Sequence, residues 1–558
     1  MNNTMFHGDF NNTGTLVKFI FRRERITSTI WVLILVLFSM GIAPAMADMF
    51  PDTASRSQFA AAFNNPMMIA MMGPIYSADN YTSGAMYGGL MLVWYAITVA
   101  IMNIFFVVRH TRADEQAGRV EVVRSLPTGR LANLNATLIS AVIINLILGL
   151  FTGLGLAVLG IDTMDFAGSM IYGAATAAIG IVFASIAAVF SQLSSNASGA
   201  TGMSFASIGV FYMIRAAGDM QGIEIVSCIS PLGLVLRSQA YVGNNIWPSL
   251  VLLLIAGALS VLALKLNSIR DLGQGFIAAK PGRATASPLL HSPFGLAWRL
   301  LRNPLIIWTI VMLTLGASYA SVVGEIDSFI SDSPEYMTIL GVPVDLLPTL
   351  SQADQARMIV ESFGIFVTLM MTLVAIVPLL NAVLKVCSEE REGRAENVLT
   401  RAVPKCNYMA GYVILAFIAS VVIQFMTFIG LYGTAAYVAG DSNPFVFGDL
   451  LKSFLAFLPA LWIMIGFAVL IVGIAPKATG LIWGYFGIVT FTSFIGRLVF
   501  TGNLSWLMNI TPLHFVSQPE PMKDYVINYT PLIIMTAIAA LMTAIGIIAF
   551  RKRDMAIQ

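Results

Sequence analysis

Charge is scarce in this 558-residue chain: only 11% of its residues are Asp, Glu, Lys or Arg, against roughly 25% in a soluble domain. Mean hydropathy is +0.81. A folded surface with so few charges cannot face water on every side, which excludes a soluble globular protein and implies a polytopic membrane protein. Cysteine is nearly absent. Cys228, Cys387 and Cys406 have no ligand-type spacing, which excludes a disulfide framework and leaves free thiols as the expectation. The four histidines (His7, His110, His291 and His514) are far apart, so no metal site is expected. The net charge of +2 is spread over loops, and no nucleic-acid partner is expected. There is no G-x-x-x-x-G-K-[ST] phosphate loop, no H-E-x-x-H and no G-x-S-x-G. The chain therefore does not hydrolyse ATP by the phosphate-loop mechanism, and an enzyme reading finds no catalytic constellation.

What is present is long apolar runs and a repeat. Twelve runs approach the 20 residues needed to span a bilayer. They lie at about 27–47, 85–108, 134–160, 167–192, 199–217 and 247–266, then at about 304–324, 359–385, 408–438, 449–475, 479–500 and 530–550. Arg22, Arg23 and Arg25 precede the first run, which ends in an A-x-A pattern at Ala45 to Ala47. This imitates a signal peptide, but the run is long enough to span and the second half opens in the same way, so no cleavage is expected. With the N-terminus inside, 24 of the 31 Lys and Arg fall in cytoplasmic segments. This bias places both termini in the cytoplasm of a multi-pass protein.

Two charged stretches interrupt the apolar pattern at an offset of 275: Asp114 matches Glu389, Glu115 matches Glu390, Gly118 matches Gly393, Arg119 matches Arg394 and Glu121 matches Glu396. Trp31 and Trp308 match at 277, Arg215 and Arg497 at 282, Ser230-Pro231-Leu232 and Thr511-Pro512-Leu513 at 281, and Arg270-Asp271 and Arg553-Asp554 at 283. Six spans per half is even, so the two copies run the same way through the membrane as parallel repeats. The expected fold is all-α: a first six-helix half at 1–270, a Gly-, Ala-, Pro- and Ser-rich cytoplasmic linker at 271–293, and a second half at 294–558. A short basic amphipathic stretch precedes each half, at 16–23 and 294–302. Each reads as an interfacial helix lying on the inner leaflet.

The two charged stretches read as short exposed helices with Glu115–Arg119 and Glu390–Arg394 as i,i+4 pairs. Gly118 and Gly393 either allow close approach of another surface or end a helical turn. Their duplicated acids suggest docking of a partner rather than topology alone. Among the outer loops, 48–84 carries Met67, Met68, Met71 and Met72, which read as a loop helix packing on the bundle or as adaptable apolar surface for varied ligands.

The acidic-acidic-x-x-Gly-Arg-x-Glu loop after the second span, the preceding interfacial helix and the Ser/Thr-Pro-Leu segment between the fifth and sixth spans resemble the permease of an ABC-2 type exporter. In duplicate they resemble the fused twelve-helix antibiotic (polyketide) exporter permeases. That resemblance implies coupling helices at Asp114, Glu115, Gly118, Arg119, Glu121, Glu389, Glu390, Gly393, Arg394 and Glu396. These would seat on two copies of a separate ATPase subunit that carries the ATP and Mg, with no cofactor in this chain. It implies re-entrant outer hairpins around Pro231 and Pro512, a bacterial plasma-membrane location, and export of a hydrophobic or amphipathic antibiotic. It also points to a pathway between the halves near Trp94, Tyr95, Phe211, Tyr212, Phe363, Phe366, Trp483, Phe486 and Phe494. Arg215 and Arg497 either face that pathway, favouring acidic substrates, or snorkel to the interface. The copies diverge at Leu126/Arg401 and Pro127/Ala402, so the two docking surfaces are expected to be unequal. A major-facilitator-type secondary transporter is the alternative. It is disfavoured by the longer loops, the stretches preceding each half and the lack of acidic residues central to the spans.

Overall fold

A computed structural model of the chain describes residues 8–63, 66–77, 80–277, 285–320, 350–401, 403–440, 443, 445–494, 508–516 and 527–554. Arg497, Ala402, the end of the expected span 479–500, most of the outer loop at 325–358 and part of the linker lie outside them. The described residues are almost entirely helical, with one isolated bridge between Ser194 and Ile277 and no strand.

The chain forms two compact units, Met1–Gly282 and Arg283–Gln558. The long helices of the first unit are α1 (Thr13–Met49), α2 (Ser83–Val108), α3 (Ala132–Val158), α4 (Phe166–Leu193), α5 (Ala197–Met220) and α6 (Trp247–Ile269). Those of the second are α7 (Pro293–Ala320), α8 (Gln352–Arg391), α9 (Lys405–Ala439), α10 (Leu458–Ile474), α11 (Gly480–Phe494) and α12 (Tyr529–Lys552). Among the described residues eleven helical segments are long and apolar enough to cross a membrane, α10 counting together with the short helix Phe447–Ala456 before it. The described part of α11 has 15 residues and falls short of that length.

Each unit has its own core. In the first, α4 is the central helix and nearly all of its faces are buried. Its run of Gly, Ala and Ser lets neighbouring backbones approach closely, the usual device for packing helices inside lipid. Gly173 of α4 meets Gly149 of α3 so closely that a Cβ on either would overlap the other's carbonyl oxygen. Asn103 of α2 and Asn145 of α3 exchange reciprocal amide hydrogen bonds at 2.9 and 2.7 Å, which satisfies two buried polar groups against each other. In the second unit α10 takes the central place; a Cβ on its Gly473 would overlap the carbonyl of Gly546 of α12, and one on Gly546 would overlap the carbonyl of Val469 of α10. Helix pairing follows one plan within each unit: α1 packs on α3, α2 on α4 and α6 on α4, while α7 packs on α9, α8 on α10 and α12 on α10. Outward faces of α1, α6, α7 and α12 carry exposed Leu, Ile and Phe, as lipid-facing helices do.

The basic stretches before each half are not separate elements. Residues 16–23 are the opening turns of the 37-residue α1, and 294–302 open the 28-residue α7. At 1.5 Å per residue α1 is about 55 Å long, longer than the roughly 30 Å hydrocarbon layer of a bilayer.

Candidate functional site

The charged stretches begin as extensions of α2 and α8. Past Val108 the chain makes one wide π-type turn over Arg109–Ala113, then a single α-turn at Asp114–Gln116. α8 simply continues to Arg391. Both extensions stop at a glycine in the left-handed region, Gly118 at φ 69° and Gly393 at φ 69°. The glycine N–H donates to the carbonyl of Glu115 or Glu390, 3.0 Å in each case. A six-residue helix follows, Arg119–Arg124 or Arg394–Leu399. A Cβ on either glycine would meet nothing within 4 Å. Both glycines thus end a helical turn at a φ that Gly adopts without cost.

The acids do not pair as the i,i+4 spacing suggests. Asp114 accepts from Arg119 at 2.7 Å and, in a bidentate arrangement, from Arg23 at 2.6 and 3.0 Å. Glu389 takes both the Nε and Nη2 of Arg394 at 2.7 Å, and Lys385 at 2.9 Å. This hydrogen-bonded pairing raises the Arg394 guanidinium above its ordinary pKa. The second acid of each pair reaches a residue more than 150 positions away. Glu115 receives Arg270 at 2.8 and 3.0 Å, the Gly273 N–H at 2.7 Å and Arg112 at 2.9 Å. Glu390 receives Arg553 at 2.7 and 2.5 Å. Arg270 and Arg553 follow α6 and α12, at matching places in the two halves. The loop is thus clamped to the end of the sixth helix in each unit, and the expected Glu115–Arg119 and Glu390–Arg394 pairs are replaced by these longer-range ones. A side chain five residues on, across the left-handed glycine, returns toward the first acid and leaves the second free to reach α6 or α12.

With Asp114, Glu115, Glu389 and Glu390 occupied inside the protein, the exposed face is built from other residues. In the first unit it presents Gln116, Arg119, Glu121, Val122 and Leu126; in the second, at the same offset, Arg391, Arg394, Glu396, Asn397 and Arg401. Val122 is 68% and Leu126 59% exposed. One surface therefore carries a bare apolar pair where the other carries an amide and a guanidinium. The units also differ in support. Buried Glu24 of α1 lies 3.2 Å from both Arg109 and His110, and Arg23 holds Asp114. At the offset of 277 the second unit has Leu300 and Leu301 in place of Arg23 and Glu24, so α7 offers aliphatic packing where α1 offers charge. Glu24, His110, Arg23 and the two distant arginines were not singled out from sequence as members of this site. The repeated Arg-Asp after the sixth span was the signal available for two of them.

At the other end of the first unit, Arg215 of α5 is fully enclosed. Its Nη2 donates to the carbonyl of Ala70 at 2.5 Å, its guanidinium lies 4.6 Å over the Tyr212 ring, and Asp219 stands 3.6 Å away. Asp219 also faces Arg237 at 3.6 Å. Ala70 belongs to the short helix Pro66–Met72, so the methionine-rich segment packs on the bundle with the Arg215 charge against its last carbonyls. Tyr76 is half-buried beside this cluster, and desolvation pushes its phenol up to about 12. Two short helices, Glu224–Ile229 and Pro231–Leu236, follow, with Ser230 capping the second. Their counterpart is a 3-10 turn at Pro512–Phe515.

The aromatic candidates fall into different environments. Tyr95 is core, bonded to Thr152 at 2.9 Å and tilted against Tyr172. Phe211 is half-buried against Phe183, and the Tyr212 hydroxyl donates to the Met71 carbonyl at 3.0 Å. Phe363 and Phe366 are half-buried on α8. Trp94 is 42% exposed beside Tyr212, and Trp483 is 38% exposed against Phe486. The Phe494 side chain and Arg497 lie outside the described residues.

Residues 15–266 and 290–551 match the family model described as multidrug efflux system permease Rv1217c, C-terminal domain. The chain is also 33% identical over 553 residues to the multidrug efflux system permease protein Rv1217c of Mycobacterium tuberculosis (strain ATCC 25618 / H37Rv), covering 98% of this chain and 95% of that protein.

Proposed function

The chain belongs to the Rv1217c family of multidrug efflux permeases, and on that premise we propose that it is the transmembrane subunit of an ATP-driven exporter, formed by two parallel six-helix repeats. Two copies of a separate ATPase seat on Arg119–Arg124 and Arg394–Leu399 and supply the ATP and Mg. The observation that carries this reading is the duplicated backbone plan: clamped acid pair, left-handed glycine and short helix with an exposed face, at 114–124 and again at 389–399. The shared helix pairing of the two units and the two stretches of chain that match one family model support the repeat. We place the protein in the bacterial plasma membrane with both termini cytoplasmic, because the basic residues gather on that side.

Mechanically, α2 and α8 transmit the stroke. α8 is one 40-residue helix that carries Phe363 and Phe366 near its start and Glu389 near its end. A displacement of the docked helix is carried along α8, past Pro378, toward these aromatic side chains about 40 Å away. In the first unit Trp94 and Tyr212, and in the second unit Phe363, Phe366, Trp483 and Phe486, are the proposed aromatic lining for a hydrophobic or amphipathic drug. Tyr95 and Arg215 are packing behind it, and neutralised Arg215 gives no preference for acidic substrates.

The test uses exposed residues, since altering the clamped acids would disturb the loop itself. Co-purification of a phosphate-loop ATPase encoded next to this chain should be lost with Glu121→Lys plus Glu396→Lys, while the permease itself still folds. Drug transport by the purified chain under a proton gradient, with no ATPase present, would overturn the reading.

A further inference from the structure

The opening turns of α7 border a cavity of about 520 Å³, lined by Thr285, Ser287, Gly295, Trp298, Arg299 and Arg302 together with Leu289 and Leu290. Its far wall is the segment running through the 3-10 turn Pro288–His291. That wall is held tightly. The Ser292 hydroxyl caps the Gly295 N–H at 3.0 Å, and a Cβ at Gly295 would overlap the Leu289 carbonyl. Two guanidiniums, two hydroxyls and an indole therefore surround a space that, among the described residues, no acidic side chain lines. Among the described residues neither arginine has a carboxylate partner.

The helix continues this site toward the membrane. At 100° per residue Arg299, Arg302, Ile306 and Ile310 fall within an arc of about 80° on one face. Ile306 and Ile310 are exposed, as is Ile307 beside them. A ligand in the cavity thus meets cationic groups at the basic end and a bare aliphatic stripe leading away. The same order recurs in α1 at the offset of 277: exposed Arg22 and Arg25, then exposed Ile30 and Leu33, match Arg299, Arg302, Ile307 and Ile310. The recurrence argues that this face meets lipid in both units. Only α7 adds the folded-back wall that turns the arginine pair into a cavity among the described residues.

We propose that this cavity seats the phosphate headgroup of an anionic phospholipid whose acyl chains lie along Ile306 and Ile310. The charge on the cavity demands an anion, and the stripe demands hydrocarbon on the same molecule. A zwitterionic lipid meets the second demand and not the first, and inorganic phosphate meets the first and not the second. The site does not depend on the ATPase reading.

The full chain, purified in detergent and stripped of lipid, should be melted with phosphatidylglycerol, with phosphatidylcholine and with inorganic phosphate. At a hundredfold excess over Kd, phosphatidylglycerol should raise the melting temperature by about 5 °C, and the other two should not. Arg299→Gln with Arg302→Gln should melt like the parent without lipid, since both side chains are exposed, and should lose the phosphatidylglycerol shift. Arg299→Lys with Arg302→Lys should keep most of it, and Arg22→Gln with Arg25→Gln should keep it. Should the glutamine pair not fold, Arg302→Gln alone should weaken retention of phosphatidylglycerol in native mass spectra about fivefold. Equal shifts with phosphatidylcholine, a full shift with phosphate alone, or an undiminished shift or retention in the glutamine variants would overturn the proposal.

Discussion

Replacing Glu115 with alanine tests the clamp that holds the first charged loop. The carboxylate has Arg112 and Arg270 beside it, and both guanidiniums are buried. Removing one partner of a buried pair costs about 3–5 kcal/mol. Here the arginines keep other acceptors. Arg112 still donates to the Ser194 carbonyl at 2.7 Å and the Gln274 carbonyl at 2.6 Å, and Arg270 to the Gln192 side chain at 3.1 Å. The charge loss therefore falls near the lower end, about 3 kcal/mol, and the orphaned Gly273 N–H adds about 1 kcal/mol. Glu390 holds the single, slightly more exposed Arg553, so Glu390→Ala should cost about 2 kcal/mol. For units of this size roughly 2 °C accompanies each kcal/mol. Tryptophan-fluorescence melts in detergent should thus drop by about 8 °C for Glu115→Ala and about 4 °C for Glu390→Ala. Glu115→Gln, which keeps the shape and two acceptor sites but not the charge, should fall between the parent and Glu115→Ala. The reasoning fails if Glu115→Ala melts with the parent, or if the two alanine variants fall equally.

Three further outcomes follow from the same geometry. Gly118→Ala and Gly393→Ala force a side chain to φ 69° and should each cost about 1–2 kcal/mol. The Asn variants should be nearly neutral, with melting of the purified chain in detergent as the readout. Gly149→Ala pushes α3 off α4 and should destabilise by about 1–3 kcal/mol. Gly257→Ala, where a Cβ meets nothing within 4 Å, should stabilise by up to about 1 kcal/mol, so opposite signs in detergent melts are the check. In a double-mutant cycle over Asn103→Ala and Asn145→Ala, the coupling should be about 0.6–1.7 kcal/mol; additive losses would mean the reciprocal amide bonds contribute nothing.

Sequence alone determined which segments are long and apolar enough to span a bilayer, since spanning requires a continuous apolar run and hydropathy is a local property. The eleven spanning segments coincide with eleven of the twelve runs. It also offered the end of a helical turn as one reading of Gly118 and Gly393, and both stand at φ 69°, where Gly is unstrained. The partners of the charges were not legible. Glu115 and Arg270 are 155 residues apart, Glu390 and Arg553 163, and local spacing offered the nearer Arg119 and Arg394 instead. Arg215 looked like a charge seeking substrate or water, yet Asp219, Tyr212 and two carbonyls of a distant loop helix enclose it. Ion pairing in a low-dielectric interior goes to whichever counter-charge the helices bring within reach. Only tertiary structure decides that, and here it turned the duplicated acids from an expected docking surface into a clamp that ties each loop to the end of the sixth helix of its unit.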